Sequence, residues 1–144
     1  MSFFKIKLRK TDRLYTKYIR EIYNYTCQNP KCRRVYSSDN CRNLGVSHLW
    51  GRDRENTRFD DENCIPICTL PCHDYWGGEG RKEYEEFMVQ KLGRVGYDLL
   101  MLRAHTRKDR DDVMDEFIIK KKLEILAEAK MKLLVGGVKV VAPQ

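Results

Sequence analysis

Apolar residues recur at helical spacing in four stretches of this chain and form two short strand-like runs between them. Leu14, Tyr15, Tyr18, Ile19, Ile22 and Tyr23 share one face of a helix predicted over residues 12–24, with Arg13, Lys17 and Arg20 on another. Thr11 or Asp12 supplies its cap. Residues 46–50 and 64–68 read as short strands, and Pro66 confines the second to a sheet edge because it lacks an N–H. Residues 37–45 and 51–63 are polar and read as loops. A helix is expected from Thr69, carrying Cys72 and His73, until Gly77, Gly78 and Gly80 interrupt it. Tyr84, Phe87, Met88 and Leu92 make the buried face of the next helix, which Gly93 ends. Val95, Leu99 and Leu102 are the buried positions expected over 94–104. Asp109 is expected to cap a long helix over 110–134 with apolar positions Val113, Met114, Phe117, Ile118, Ile125 and Leu126, stopped by Gly136 and Gly137. These stripes predict core. Residues 1–10 alternate, as an edge strand or a flexible basic arm would, and the tail VKVVAPQ adds a strand or stays loose.

The pattern predicts an α+β fold with three parts in one compact domain. Residues 1–26 are a basic arm and helix, 27–78 a small strand-rich unit, and 79–144 a helical extension. No apolar run approaches the ~20 residues that span a bilayer. The N-terminus lacks the apolar region and cleavage site of a secretory signal, so a cytoplasmic location is expected, with no membrane partner.

Charge sharpens this picture. The formal net charge is +7. Residues 1–36 hold ten Lys/Arg against Asp12 and Glu21, a net +8, whereas the rest nets −1. A positive field confined to one arm and one helix suits a phosphate backbone, although most charge runs are solvated faces. Lys5, Lys7, Arg9, Lys10, Arg13, Lys17 and Arg20 are the candidate phosphate contacts. Arg52, Arg54 and Arg58 join them from the central loop.

Six cysteines without a secretory signal argue against a disulfide framework. Cys27 and Cys32 flank a turn-forming Asn29-Pro30, and Cys68 and Cys72 form a second close pair. Four thiolates in two pairs fill one tetrahedral zinc shell and leave no open position, so the metal would be structural. It would pin the basic helix to the central unit. Cys41 and Cys64 are left over as buried thiols, with Cys64 a substitute ligand if the pairing differs.

The central unit also orders its polar residues as His48, Asn63 and His73. A histidine at the end of a strand can take a proton from water, and a divalent cation held nearby can clamp a scissile phosphate. This order on a strand–strand–helix unit resembles the HNH, or ββα-metal, nucleases, in the variant stapled by two cysteine pairs. DRLYTKYIR, SHLWGR, TRFDDEN, PCHDYWG, EEFMVQKLG and AHTRKDRDD extend the resemblance over residues 11–125 to the NinG-type recombination endonucleases of lambdoid phages.

The resemblance implies a DNA endonuclease acting in phage or prophage recombination, on branched or flapped DNA, within a bacterial host. It implies His48 as general base and His73 as ligand of a catalytic Mg2+ or Mn2+. Asn63 would orient the base or ligate the cation, and Asp61 would stand near it. Ser47 replaces the usual ligand before the first histidine, and Gly77 stands where a further ligand often completes the shell. Magnesium tolerates such a site, since it keeps several waters. Two other classes remain open: a zinc-stabilised DNA-binding module without catalysis, and a structural zinc domain that binds a protein through its long C-terminal helix.

Overall fold

The computed structural model describes residues 6–136. Helix α1 (Lys10–Ile22) leads to strand β1 (Leu44–His48), which pairs antiparallel with β2 (Cys64–Cys68) from Leu44↔Cys68 to His48↔Cys64. A one-turn helix α2 (Asp74–Gly77) follows, then α3 (Arg81–Ala104) and α4 (Asp112–Gly136). The class is therefore α+β, with one small two-stranded sheet. Lys5 and the tail from residue 137 lie outside the described residues, and Ile6 to Arg9 form no strand.

α1 begins two residues earlier than its pattern predicts. The Asp12 carboxylate accepts the Arg9 backbone N–H at 2.7 Å, so Asp12 sits inside the first turn, where an acid complements the exposed amides. At the other end Asn24 and Tyr25 have φ near +50°, and the Tyr25 N–H reaches back to the Arg20 carbonyl at 2.9 Å. Tyr15, Ile19 and Tyr23 recur every fourth residue and are fully buried. Tyr15 meets Phe59 edge-on at 5.4 Å.

β1 is also two residues earlier than expected. Beyond His48 the ladder is taken over by Asn63, whose carbonyl accepts the Leu49 N–H at 2.9 Å. β2 is buried throughout. On β2, the Pro66 carbonyl accepts the Gln28 N–H from the first cysteine loop at 2.9 Å. That loop therefore covers an edge which a proline could not pair from its own nitrogen.

The helix expected from Thr69 begins irregularly. Residues Thr69–His73 form a π-helical turn broken at Leu70, which precedes Pro71 and is held extended at φ −131° and ψ 133°, as a pre-proline residue is. Cys72 and His73 lie in that turn, which runs into α2 at Asp74. Trp76 from α2 stacks on Tyr84 of α3 at 4.9 Å and packs on Phe87 at 5.2 Å. Gly93, at φ +76°, breaks α3 where the sequence predicts a stop.

The downstream stripes need correction. Leu100 and Ala104 are the buried residues of the second half of α3, whereas Val95, Leu99 and Leu102 are exposed. On α4 the inward residues are Asp115 and Ile119, with Leu123 packed against the core. Val113, Met114, Phe117, Ile118 and Ile125 face outward. Both helices are apolar on two sides, so periodicity alone leaves their phase undecided. Asp111, not Asp109, caps α4 by accepting the Met114 N–H at 3.0 Å. Lys122 and Lys130 tie α4 back to Asp61 and Glu21.

Candidate metal centre and the adjoining histidine site

Three separate segments bring four thiols together: the loop after α1 carries Cys27 and Cys32, β2 ends at Cys68, and the following turn carries Cys72. All four sulfurs lie within 4.8 Å of one another. Cys27 and Cys72 Sγ are 3.8 Å apart, and Cys32 and Cys68 Sγ are 3.7 Å apart. A tetrahedron with metal–sulfur bonds of about 2.3 Å has edges of roughly 3.8 Å. These separations are too long for disulfides and right for one shared ion, so the quartet can hold a metal such as zinc. Two donors already point at its sulfurs. The Cys68 N–H reaches Cys27 Sγ at 3.4 Å, and the Tyr36 hydroxyl is 3.0 Å from Cys68 Sγ. Burial pushes the Cys27 thiol well above its usual range, with Cys72 and Cys68 adding to the rise. A dication would reverse that by favouring thiolates.

Cys64 is not a fifth member. It is fully buried beside Tyr15 and Arg58, and burial raises its thiol well above the ordinary range. Cys41 lies 3.6 Å from the Ser38 carbonyl, near the surface.

His48 ends β1, half-buried. Its Nε2 is 2.9 Å from the Arg58 carbonyl oxygen. A carbonyl can only accept, so Nε2 carries the proton and Nδ1 keeps its lone pair. Burial, with repulsion from Arg52, holds the ring's pKa down to about 4. It is therefore neutral at pH 7. His73 is exposed on the turn after Cys72, and burial of part of its ring and the charge of Arg52 lower it too. The charge of Arg52 disfavours protonation of both rings. As for Arg52 itself, its guanidinium is poorly engaged. Its Nε finds no hydrogen-bond partner among the described residues, the nearest acid being Asp12 Oδ1 at 3.6 Å.

The other expected site residues are otherwise engaged. Asn63 is 0% exposed. Its Oδ1 accepts the Trp50 N–H at 2.8 Å, and its Nδ2 donates to the carbonyls of Trp50 at 2.8 Å and Thr57 at 2.9 Å. It clamps the loop between the strands and, fully buried, offers no exposed oxygen to a cation. Asp61 turns away, accepting from the hydroxyls of Tyr15 and Tyr18 at 2.8 and 2.9 Å and from Lys122 at 3.3 Å. It joins α1 to α4. Ser47 is buried, 4% exposed, and a side chain at Gly77 would meet open space. Of the expected cation ligands, only His73 makes no side-chain hydrogen bond among the described residues.

Arg58 requires the plainest correction. Expected among the phosphate contacts, it is 2% exposed. Its Nε and Nη2 bind Asp12 at 3.0 and 2.6 Å, Nη1 donates to the Arg52 carbonyl at 2.8 Å, and Nη2 also reaches the Lys7 carbonyl at 3.2 Å. The same residue's carbonyl holds His48. Arg58 therefore joins α1, the arm and the histidine loop. No local pattern signals this pairing, because its members are 46 residues apart.

Several other cations are paired as well. Arg9 makes a bidentate pair with Glu55 at 2.8 Å, Lys10 meets Glu116 at 2.9 Å, and Arg20 donates to the Leu44 carbonyl at 2.8 Å. Arg54 lies over the Trp50 ring at 5.7 Å and reaches the Ala104 carbonyl at 3.4 Å. Lys7, Arg13 and Lys17 are exposed. His105 packs on Trp50 edge-on at 5.0 Å, away from the other two histidines in role.

No helix among the described residues is long and apolar enough to cross a membrane. No family model, curated protein or solved structure matches the chain.

Proposed function

We propose that this chain is a DNA endonuclease of the HNH kind, stapled by a structural zinc at Cys27, Cys32, Cys68 and Cys72. The observation that carries the reading is the state of His48. Its ring is fixed by the Arg58 carbonyl and neutral at pH 7, and it keeps one nitrogen lone pair beside a cationic arginine. Those are the requirements of a general base that draws a proton from water next to a phosphodiester. Held at His73, Mg2+ or Mn2+ would neutralise charge at the phosphate. Arg52 would bind a phosphate oxygen between the two rings, and Asn63 serves by fixing the loop that carries Arg52. The proposed partner is DNA, branched or flapped by the likeness to recombination endonucleases.

One observation favours a second reading, a zinc-stabilised DNA-binding module without catalysis. Asn63 and Asp61 are committed elsewhere and Ser47 is buried, so the cation would have few protein ligands. A single comparison separates the two. Zinc-loaded protein and its His48→Ala variant are incubated with plasmid and with a four-way junction, in buffer with Mg2+, with Mn2+ or with neither. Metal-stimulated cleavage that the variant loses is the expected result. Salt-dependent binding without cleavage sinks the enzyme reading.

A further inference from the structure

A buried ion pair is weak evidence of a stabilising role, because apolar residues of the same volume often serve as well. Asp12 and Arg58 are nevertheless buried together, 3% and 2% exposed. What such a fork fixes well is direction. The carboxylate is tied to the start of α1 by the Arg9 N–H at 2.7 Å, and it accepts from Arg58 Nε and Nη2 at 3.0 and 2.6 Å. A planar guanidinium held through two nitrogens keeps one plane. In that plane its other N–H groups reach the carbonyls of Arg52 at 2.8 Å and Lys7 at 3.2 Å.

Two members of the candidate site depend on this pair. His48 Nε2 donates to the main-chain carbonyl of Arg58 at 2.9 Å. Apart from that bond, the Arg58 main chain has only long contacts, its N–H to the Glu55 carbonyl at 3.4 Å and its carbonyl to Cys64 Sγ at 4.0 Å. The side-chain fork is therefore what holds the carbonyl that holds the ring. Arg52 is attached through its own carbonyl, which accepts from Arg58 Nη1. Its Nε stands 3.6 Å from Asp12 Oδ1 with no hydrogen-bond partner among the described residues. Asn63 holds the neighbouring Trp50 and Thr57 carbonyls but makes no bond to Arg58.

We infer that Asp12 and Arg58 are positioning residues of the site, which set the His48 ring and the Arg52 guanidinium for one phosphodiester. The inference rests on His48 being the base. Neither Asp12 nor the Arg58 side chain touches the substrate, and both act through the main chain of residues 52 and 58. Helix α1, which carries Asp12, thereby becomes part of the catalytic scaffold. A reacting group displaced by about 1 Å costs on the order of 100-fold in rate, so loosening the fork should show in kcat.

Asp12→Asn keeps the shape of the acid and removes its charge and one acceptor. Zinc-loaded parent and variant are compared by two readouts. One is the 15N–1H signal of the His48 ring, which persists while a carbonyl holds the Nε2 proton and disappears when that proton exchanges with water. The other is Mg2+-dependent cleavage of plasmid, alone and in the His48→Ala background. The variant should lose the ring signal and about 100-fold in kcat. Added to His48→Ala, it should change the residual cleavage by no more than about 2-fold, because both changes act through one ring. A merely structural role would lower cleavage equally in both backgrounds. Should Asp12→Asn fail to fold, Arg58→Lys supplies the same readouts, since it keeps the charge and loses the fork. A folded variant that keeps the ring signal and cleaves within about 2-fold of the parent overturns the inference and leaves His48 as the base. So does an equal fall with His48 removed. A parent that does not cleave, or whose cleavage survives His48→Ala, overturns the base and the positioning with it.

Discussion

Replacing Asn63 by aspartate separates a clamp from a cation ligand. The substitution keeps the size and Oδ1, but it puts an oxygen where Nδ2 now donates to the carbonyls of Trp50 and Thr57. The Trp50 carbonyl loses its donor, and the buried Thr57 carbonyl keeps only the Asp60 N–H at 3.3 Å. An orphaned carbonyl costs about 1–3 kcal/mol and a weakened one less, so the pair costs about 1–5 kcal/mol. The buried carboxylate facing two carbonyl oxygens adds to that. Stability for a chain of this size is about 5–15 kcal/mol, so the melting temperature should fall by roughly 5–20 °C. Thermal unfolding of zinc-loaded protein by circular dichroism measures the loss. Asn63→Ala should be no worse than Asn63→Asp. Lowering the pH should recover part of the loss in the aspartate variant only, because a protonated acid regains a donor. A cation ligand would behave in the opposite way, since an added negative charge would tighten Mn2+. An aspartate variant that melts within about 2 °C of the parent and binds Mn2+ more tightly would refute the clamp.

Other outcomes follow from the same contacts. Purified protein should carry one zinc per chain by elemental analysis, and Cys68→Ser should unfold it, because metal binding and folding are coupled. Asp12→Ala leaves the Arg58 guanidinium buried and unpaired, which should cost about 3–5 kcal/mol in chemical denaturation. Arg58 and the Arg9 amide hold the Asp12 carboxyl below its ordinary range despite burial. Its stabilisation should therefore be complete above the ordinary carboxylate range and lost as the pH falls through its folded value, a loss absent from the melts of Asp12→Ala. His48→Ala should lower cleavage by about 10²–10⁴-fold while leaving zinc content unchanged. The acid limb of parent cleavage should lie near pH 4 rather than the 6.5 of a free imidazole, since burial and Arg52 disfavour the charged ring. Neutralising Lys7, Arg13 and Lys17 should reduce the salt slope of DNA binding by about 0.9 per lost contact. Neutralising Arg9, which Glu55 already pairs, should change it less.

The cysteine quartet was legible because one ion requires its ligands close together, and close pairs in sequence are the cheapest way to supply them. The second strand was legible at its own bounds, and the first was displaced by two residues, since the Asn63 side chain takes the Trp50 N–H where the strand would have continued. Asn63 itself shows a limit of pattern reading. A buried amide that clamps a loop and an amide that ligates a cation look alike until their partners are known. Arg58 shows another, because a charged residue in a polar loop reads as surface unless its distant acid is seen. The inward face of α4 stayed hidden for a different reason. Its apolar and charged residues are spread over both sides, so no single apolar stripe fixes its phase.

The thiol quartet also changes how a familiar experiment must be interpreted. A two-stranded sheet is marginal by itself, and here one of its ends is held by sulfurs from three segments. A strong chelator would remove that staple together with any catalytic cation, so loss of cleavage in EDTA would report collapse as readily as chemistry. Magnesium added back would then fail for lack of a folded protein, and an active enzyme could be discarded as inert. Restoring zinc first, and magnesium second, makes the two losses distinguishable. The order of addition becomes the measurement.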